Sequence, residues 1–369
     1  MQTLFPFGMP GPTARYLTLY LATLVIHVVF MNYVLAGSLY LSWTELMPGH
    51  AQPPRGRQPL AHVLREWLPF VLSAAITAGI APLLFIQILY RHHFYTANLL
   101  LSWRWMVVIP VLIAAFYLLY LHKSRLLADR SPRLRTAAGL GATWAFLFVA
   151  FCWTANHLLS TIPSQWPQLY QTGAIAPVVP LLIPRLGTWV FGSFGTMAVV
   201  AAWQLRFRER APNAREMRTE TRRLAIMAIG GLVAAGIAAT VYLNRCPSQT
   251  RSLIFGPLAQ AYLVAAVIGG VAQVLGWAAL LKANRFRSGL LWLVTITCGT
   301  TLLCVAVVRE VVRLSAVDIS RLYEIHARAA KIGGLPLFLL FFVLNAALIV
   351  FCIRFVNRHL HPMPPHDAG

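Results

Sequence analysis

From Tyr16 to Trp43 the chain runs for 28 residues, YLTLYLATLVIHVVFMNYVLAGSLYLSW, without one Asp, Glu, Lys or Arg. A run of this length crosses a hydrocarbon layer about 30 Å thick as a tilted helix. Backbone placed in that layer has to satisfy its own hydrogen bonds, which leaves the helix or the closed barrel as the only spanning forms. One titratable group interrupts the run, His27. An imidazole at such depth is costly unless a partner, a cavity or a metal receives it. Two readings of His27 stay open on this ground: a ring hydrogen-bonded to a neighbouring helix, or a ligand to iron.

Eight further apolar runs follow, and the nine predicted spans lie near 16–43, 66–90, 99–121, 137–159, 176–205, 222–243, 256–281, 288–312 and 334–356. Each holds roughly 20 residues or somewhat more. The fold class expected is all-α, a polytopic transmembrane helical bundle forming one domain over 1–356, with a basic cytoplasmic loop at 206–223 and a disordered tail at 357–369. Prolines 177, 180 and 184 and Arg185 fall in the first third of the fifth run, so that part is expected to be irregular. The sixth run, AIGGLVAAGIAATV, is rich in small residues, which suits close helix approach.

Only 11% of the residues are charged and 58% are hydrophobic. A soluble domain carries about 25% charged residues, so a single water-borne core is excluded. The formal charge of +21 invites a nucleic-acid partner, but the basic residues sit in the gaps between apolar runs. Topology and anionic headgroups account for them there, and no nucleic-acid partner is expected. The five cysteines form no CxxC or CxxCH pair, which excludes covalent c-type haem and cysteine-ligated clusters. The N-terminus has no basic segment ahead of a short apolar one and no cleavage site, so the first span is expected to be retained.

Lys and Arg in alternate loops set the orientation. Arg55, Arg57 and Arg65 follow the first span; Lys123, Arg125, Arg130, Arg133 and Arg135 follow the third. Seven arginines lie from Arg206 to Arg223, and Lys282, Arg285 and Arg287 follow the seventh span. The other side is sparse. The N-terminus is therefore expected outside and the C-terminus inside a bacterial inner membrane.

On that topology His27 lies roughly 15 Å below the outer end of its helix. The outer side also receives Arg91, His92 and His93, then Trp103, Arg104 and Trp105, then Trp153, Asn156 and His157, and finally Arg309, Glu310, Arg313 and His326. The inner half of the spans is nearly free of polar groups. Glu310 is the one carboxylate placed well into the apolar register, with Glu45 and Glu66 at inner edges. No through-going Asp/Glu relay, HExxH, GxSxG or phosphate-binding glycine loop is present. Imidazoles, guanidiniums and tryptophans on one side fit a haem held without covalent links, with arginines neutralising propionates. Each group also has a plainer reading. His157 can line an outer loop, His92 and His93 can snorkel, and His326 can be solvated. His122 can be interfacial, the tryptophans can form an aromatic belt, and Arg309, Glu310 and Arg313 can simply terminate a span. The tail histidines belong to a Pro-rich end where disorder outweighs metal binding.

His27 followed by VVFMNYVLAGSLYL resembles the first helix of the large subunit of cytochrome bd-type quinol oxidases, and the nine-span layout with an outside N-terminus is similar to that subunit. The resemblance implies His27 as an iron ligand. The family's quinol-loop motif, its intramembrane glutamate pair and a histidine in the fifth span have no counterpart here. What the resemblance implies is therefore electron passage, or a relative whose cofactor is lost, rather than oxygen reduction. The expected site comprises His27, His157, Arg104, Trp105, Arg309, Glu310 and Arg313 around haem b and a quinone, with His27 and His157 on the metal. The expected partner is a periplasmic c-type cytochrome or another complex subunit. Two alternatives of other classes remain: a cofactor-free structural or assembly subunit, and a transporter of an anionic or lipid substrate.

Overall fold

A computed structural model gives the fold and describes residues 5–6, 8–47, 59–124, 131–173, 175, 178–207 and 213–360, without the side chains of 132 and 356–360. Arg55, Arg57, Arg125, Arg130, Pro177, Arg208, Arg210 and the tail from 361 lie outside the described residues. Among the described residues the regular structure is helical throughout, and nine segments are long and apolar enough to cross a membrane. The chain is a polytopic helical membrane protein.

Helix α1 (Gly11–Leu46) is the hub, touching α2 (Pro59–Leu89), α6 (Pro132–Leu159), α8 (Val179–Arg206), α12 (Ser288–Leu314) and α13 (Ile319–Ile332). Helix α5 (Val108–Lys123) packs on α6 and α2, α9 (Ala214–Arg245) on α8, and α11 (Gln260–Ala283) on α9 and α12. Short helices α3 (Arg91–Leu101), α7 (Trp166–Thr172) and α10 (Ser248–Ile254) lie between the spans, and α4 (Trp103–Met106) begins the third. The last helix, α14 (Leu335–Leu360), is peripheral: none of its most apolar stretch is buried.

Three differences from the sequence reading have local causes. The third span does not begin at 99, because Ser102 takes φ +53 and separates α3 from the helix that follows. The fifth span is a continuous helix from Val179. Pro180 falls in its first turn, where the missing N–H has no partner to lose. Pro184 cannot donate to the Pro180 carbonyl, and Arg245 Nη1 takes that acceptor instead at 3.2 Å. The block read as a basic loop at 206–223 is helix in its second half. Asn213 and Glu216 form a capping box that starts α9 at Ala214.

The small residues of α9 bring it onto α8. A Cβ on Gly231 would lie 2.6 Å from the Phe191 carbonyl oxygen, so only glycine fits this crossing. The half of the bundle away from the start of α1 is also more polar than its hydropathy implies. Asn32 bonds Thr196 and Trp189, Tyr33 bonds Gln204, and Ser42 bonds Thr143. Neutral hydroxyls and amides cross-link the helices there without breaking an apolar run.

Candidate functional site

The polar residues gathered near the start of α1 divide into two settings. In the first, His27 Nδ1 lies 2.9 Å from the Ala75 carbonyl oxygen of α2. A carbonyl only accepts, so Nδ1 carries the proton and Nε2 keeps its lone pair. The ring rests on Gly79, where a Cβ would stand 2.9 Å from Cε1. His27 is half-buried. An imidazole anchored through one nitrogen to a backbone carbonyl, with the other nitrogen free, is the arrangement metal-ligating histidines adopt.

The second setting is a closed charge network. Glu310 is fully buried. Its Oε1 accepts from Arg309 Nη2 at 2.8 Å and its Oε2 from Arg313 Nη1 at 3.0 Å. Tyr20, seven residues before His27 on α1, donates its hydroxyl to Glu310 at 3.4 Å and receives a bond from Arg309. The Arg313 guanidinium lies over the Tyr90 ring, 5.1 Å from its centre. Arg313 Nη2 stands 2.8 Å from His157 Nδ1. Guanidinium only donates, so this nitrogen of His157 accepts and the proton sits on Nε2, which is buried with no partner.

The charges do not balance. Arg309 and Arg313 face one carboxylate, while Arg185 stacks on Tyr242 at 5.2 Å. Two guanidiniums against Glu310 leave one positive charge in excess in this group, and uncompensated buried charge is costly.

Arg104 and Trp105 are placed elsewhere. Arg104 stacks over Trp103 at 5.2 Å, and Trp105 packs edge-on against Trp153 at 5.0 Å and Phe94 at 5.8 Å. His92 and His93 border the Trp166 ring, and His93 Nε2 donates to the Ala316 carbonyl at 3.1 Å. His326 is fully buried rather than solvated. Its Nδ1 meets the Thr13 hydroxyl at 2.9 Å and its Nε2 the Leu89 carbonyl at 3.4 Å, so it fastens α13 to α1 and α2. Burial holds its imidazole below the ordinary histidine value, with the Leu89 carbonyl opposing. His122 is buried too, and its Nε2 donates to Glu45 at 2.8 Å. Among the described residues no three His, Cys, Asp or Glu side chains converge as a metal-binding group.

Set against these residues, a haem fits in part. His27 offers an Nε2 lone pair that takes no hydrogen bond among the described residues, and the surplus guanidinium charge beside Glu310 suits a propionate. His157 does not fit as a ligand, because Arg313 uses the only lone pair its neutral ring has. The crevice lined by Tyr90, Phe94, Asn156 and Arg313 has no room for even a water-sized molecule, far below the roughly 300 Å³ or more of a small-molecule site. That crevice, beside Arg313, does not admit a porphyrin. Tyr20, Tyr90 and Gly79 were not singled out from sequence. Only the seven-residue spacing of Tyr20 from His27, two helical turns, pointed to a shared face.

No protein family, curated protein or solved structure matches this chain.

Proposed function

We propose that the chain is a b-type cytochrome-like subunit of a membrane oxidoreductase in the bacterial inner membrane. In this reading α1 starts on the periplasmic side, His27 holds haem b, and electrons pass between a quinone and a periplasmic partner such as a c-type cytochrome. The observation that carries the reading is His27, an imidazole within a membrane-spanning helix whose Nδ1 is fixed to Ala75 and whose Nε2 takes no hydrogen bond among the described residues. Bound haem supplies a one-electron iron couple. Gly79 sets how closely the His27 ring approaches α2. Arg309, the less buried of the two cluster arginines, is available to pair with a propionate. Glu310 and Tyr20 hold its guanidinium in place. Arg313 keeps His157 in a single tautomer and out of the ligand set.

One observation favours a second reading, a cofactor-free structural subunit: both oxygens of Glu310 are already satisfied inside the chain. The absorption spectrum of protein purified from a haem-replete host, oxidised and dithionite-reduced, decides between them. A Soret band with a b-type pyridine haemochrome is the expected result. A colourless protein rejects the haem and leaves the structural reading.

A further inference from the structure

At the end of the bundle away from the start of α1, a cavity of about 470 Å³ opens where α8 stops and α9 begins. Arg206 and Phe207 line it from the end of α8, Met217 from the first turn of α9, and Arg285 and Phe286 from the turn between α11 and α12. Three of the five are apolar and two are cationic.

The cations are not neutralised within the described residues. Arg206 donates to the Phe286 carbonyl and to the Ser288 hydroxyl, both at 2.6 Å, and neither acceptor carries charge. Its guanidinium is thus fixed in place with its charge intact. Arg285 is exposed and makes no ion pair or side-chain hydrogen bond among the described residues. The carboxylates at the start of α9 are engaged elsewhere, Glu216 in the helix cap and Glu220 with Arg223 at 2.9 Å.

A second observation fixes the depth. Trp203 stacks on Phe207 with ring centres 5.3 Å apart and meets Trp292 edge-on at 5.1 Å. Phe207 is 73% exposed and Trp292 is 57% exposed. Aromatic rings bared together at the end of apolar spans mark the headgroup level of a bilayer. A hollow with an apolar lining and two uncompensated guanidiniums at that level meets both parts of an amphiphile.

We propose that this hollow binds the phosphate headgroup of an anionic phospholipid. Arg285 and Arg206 contact the phosphate, and Phe207, Met217 and Phe286 contact the glyceride and the first methylenes of the acyl chains. Inorganic phosphate shares the headgroup chemistry but has nothing to place against the three apolar walls. The site is remote from His27 and its test does not depend on haem.

Native mass spectrometry of the delipidated protein in detergent, titrated with dioleoyl phosphatidylglycerol or dioleoyl phosphatidylcholine, measures the binding. The wild type is expected to retain the anionic lipid selectively. Arg285→Gln, an exposed position, is expected to weaken retention by about fivefold, the effect of one basic residue at an anionic surface. Met217→Trp, which fills the hollow, is expected to weaken it with the arginines unchanged. Equal uptake of the two lipids, or unchanged retention in both variants, overturns the proposal. Displacement of the lipid by millimolar inorganic phosphate also overturns it, because the site then serves a soluble phosphate compound.

Discussion

Two ionic clusters tie the helices together at opposite ends of the bundle, and they are built differently. Near the start of α1, Glu310 and Arg313 are almost wholly buried, and Arg309 keeps 25% of its side chain exposed. At the far end Glu45 meets His122, Arg65 and Arg135, and Lys123 meets Glu66. There the side chains of Arg65, Lys123 and Glu66 keep 25–35% of their surface exposed. Water and headgroups share the cost of charge at the far end. Near the start of α1 the Glu310–Arg313 pair is shut off from that help, and Arg309 is the member that keeps part of its surface exposed. Under the proposed function the far cluster is structural and the near one borders the site.

Substitutions separate the two. Glu310→Gln strands Arg313 without its carboxylate and should cost about 3–5 kcal/mol, seen as a large fall in the melting temperature of the detergent-solubilised protein. Glu45→Gln leaves His122 a weaker acceptor and should cost roughly 1–3 kcal/mol. Equal losses at both positions would erase the distinction. Gly79→Val drives a side chain into the His27 ring and should destabilise by about 1–3 kcal/mol, which thermal unfolding beside Gly79→Ala would measure. Lys123→Ala removes a partly exposed pair, and its effect should stay within about 1 kcal/mol.

The smallest effect is local. Burial lowers the His326 imidazole below its ordinary value of 6.5, so the folded state favours the neutral ring. The stabilising contribution is complete above that value and is lost as pH falls from it toward the lowered folded value. Amide protection over Ile319–Ile332, taken relative to the intrinsic exchange rate at each pH, should therefore fall on acidification below about 6.5, with α1 unaffected. A His326→Gln variant should lose that pH dependence.

The nine spans were legible because each is a long apolar run with few charges, and the Arg309, Glu310, Arg313 grouping was legible because it lies within two turns of one helix. Partners far apart in sequence were not. Thr13 and His326 are separated by 313 residues, and Tyr20 and Glu310 by 290, and no local pattern joins them. The break at Ser102 was hidden because LLLSWRW is apolar on both sides of it. The cross-links of Asn32, Tyr33, Gln204 and Thr143 escaped notice because neutral polar residues do not interrupt hydropathy. The assignment of His157 turned on one proton, set by Arg313 on another helix.

The ratio of haem to protein, measured side by side in wild type, His27→Ala and His157→Ala at matched expression, tests the account most directly. The account predicts haem in wild type, loss in His27→Ala and retention in His157→Ala. Haem that survives removal of His27, or disappears only on removal of His157, contradicts it.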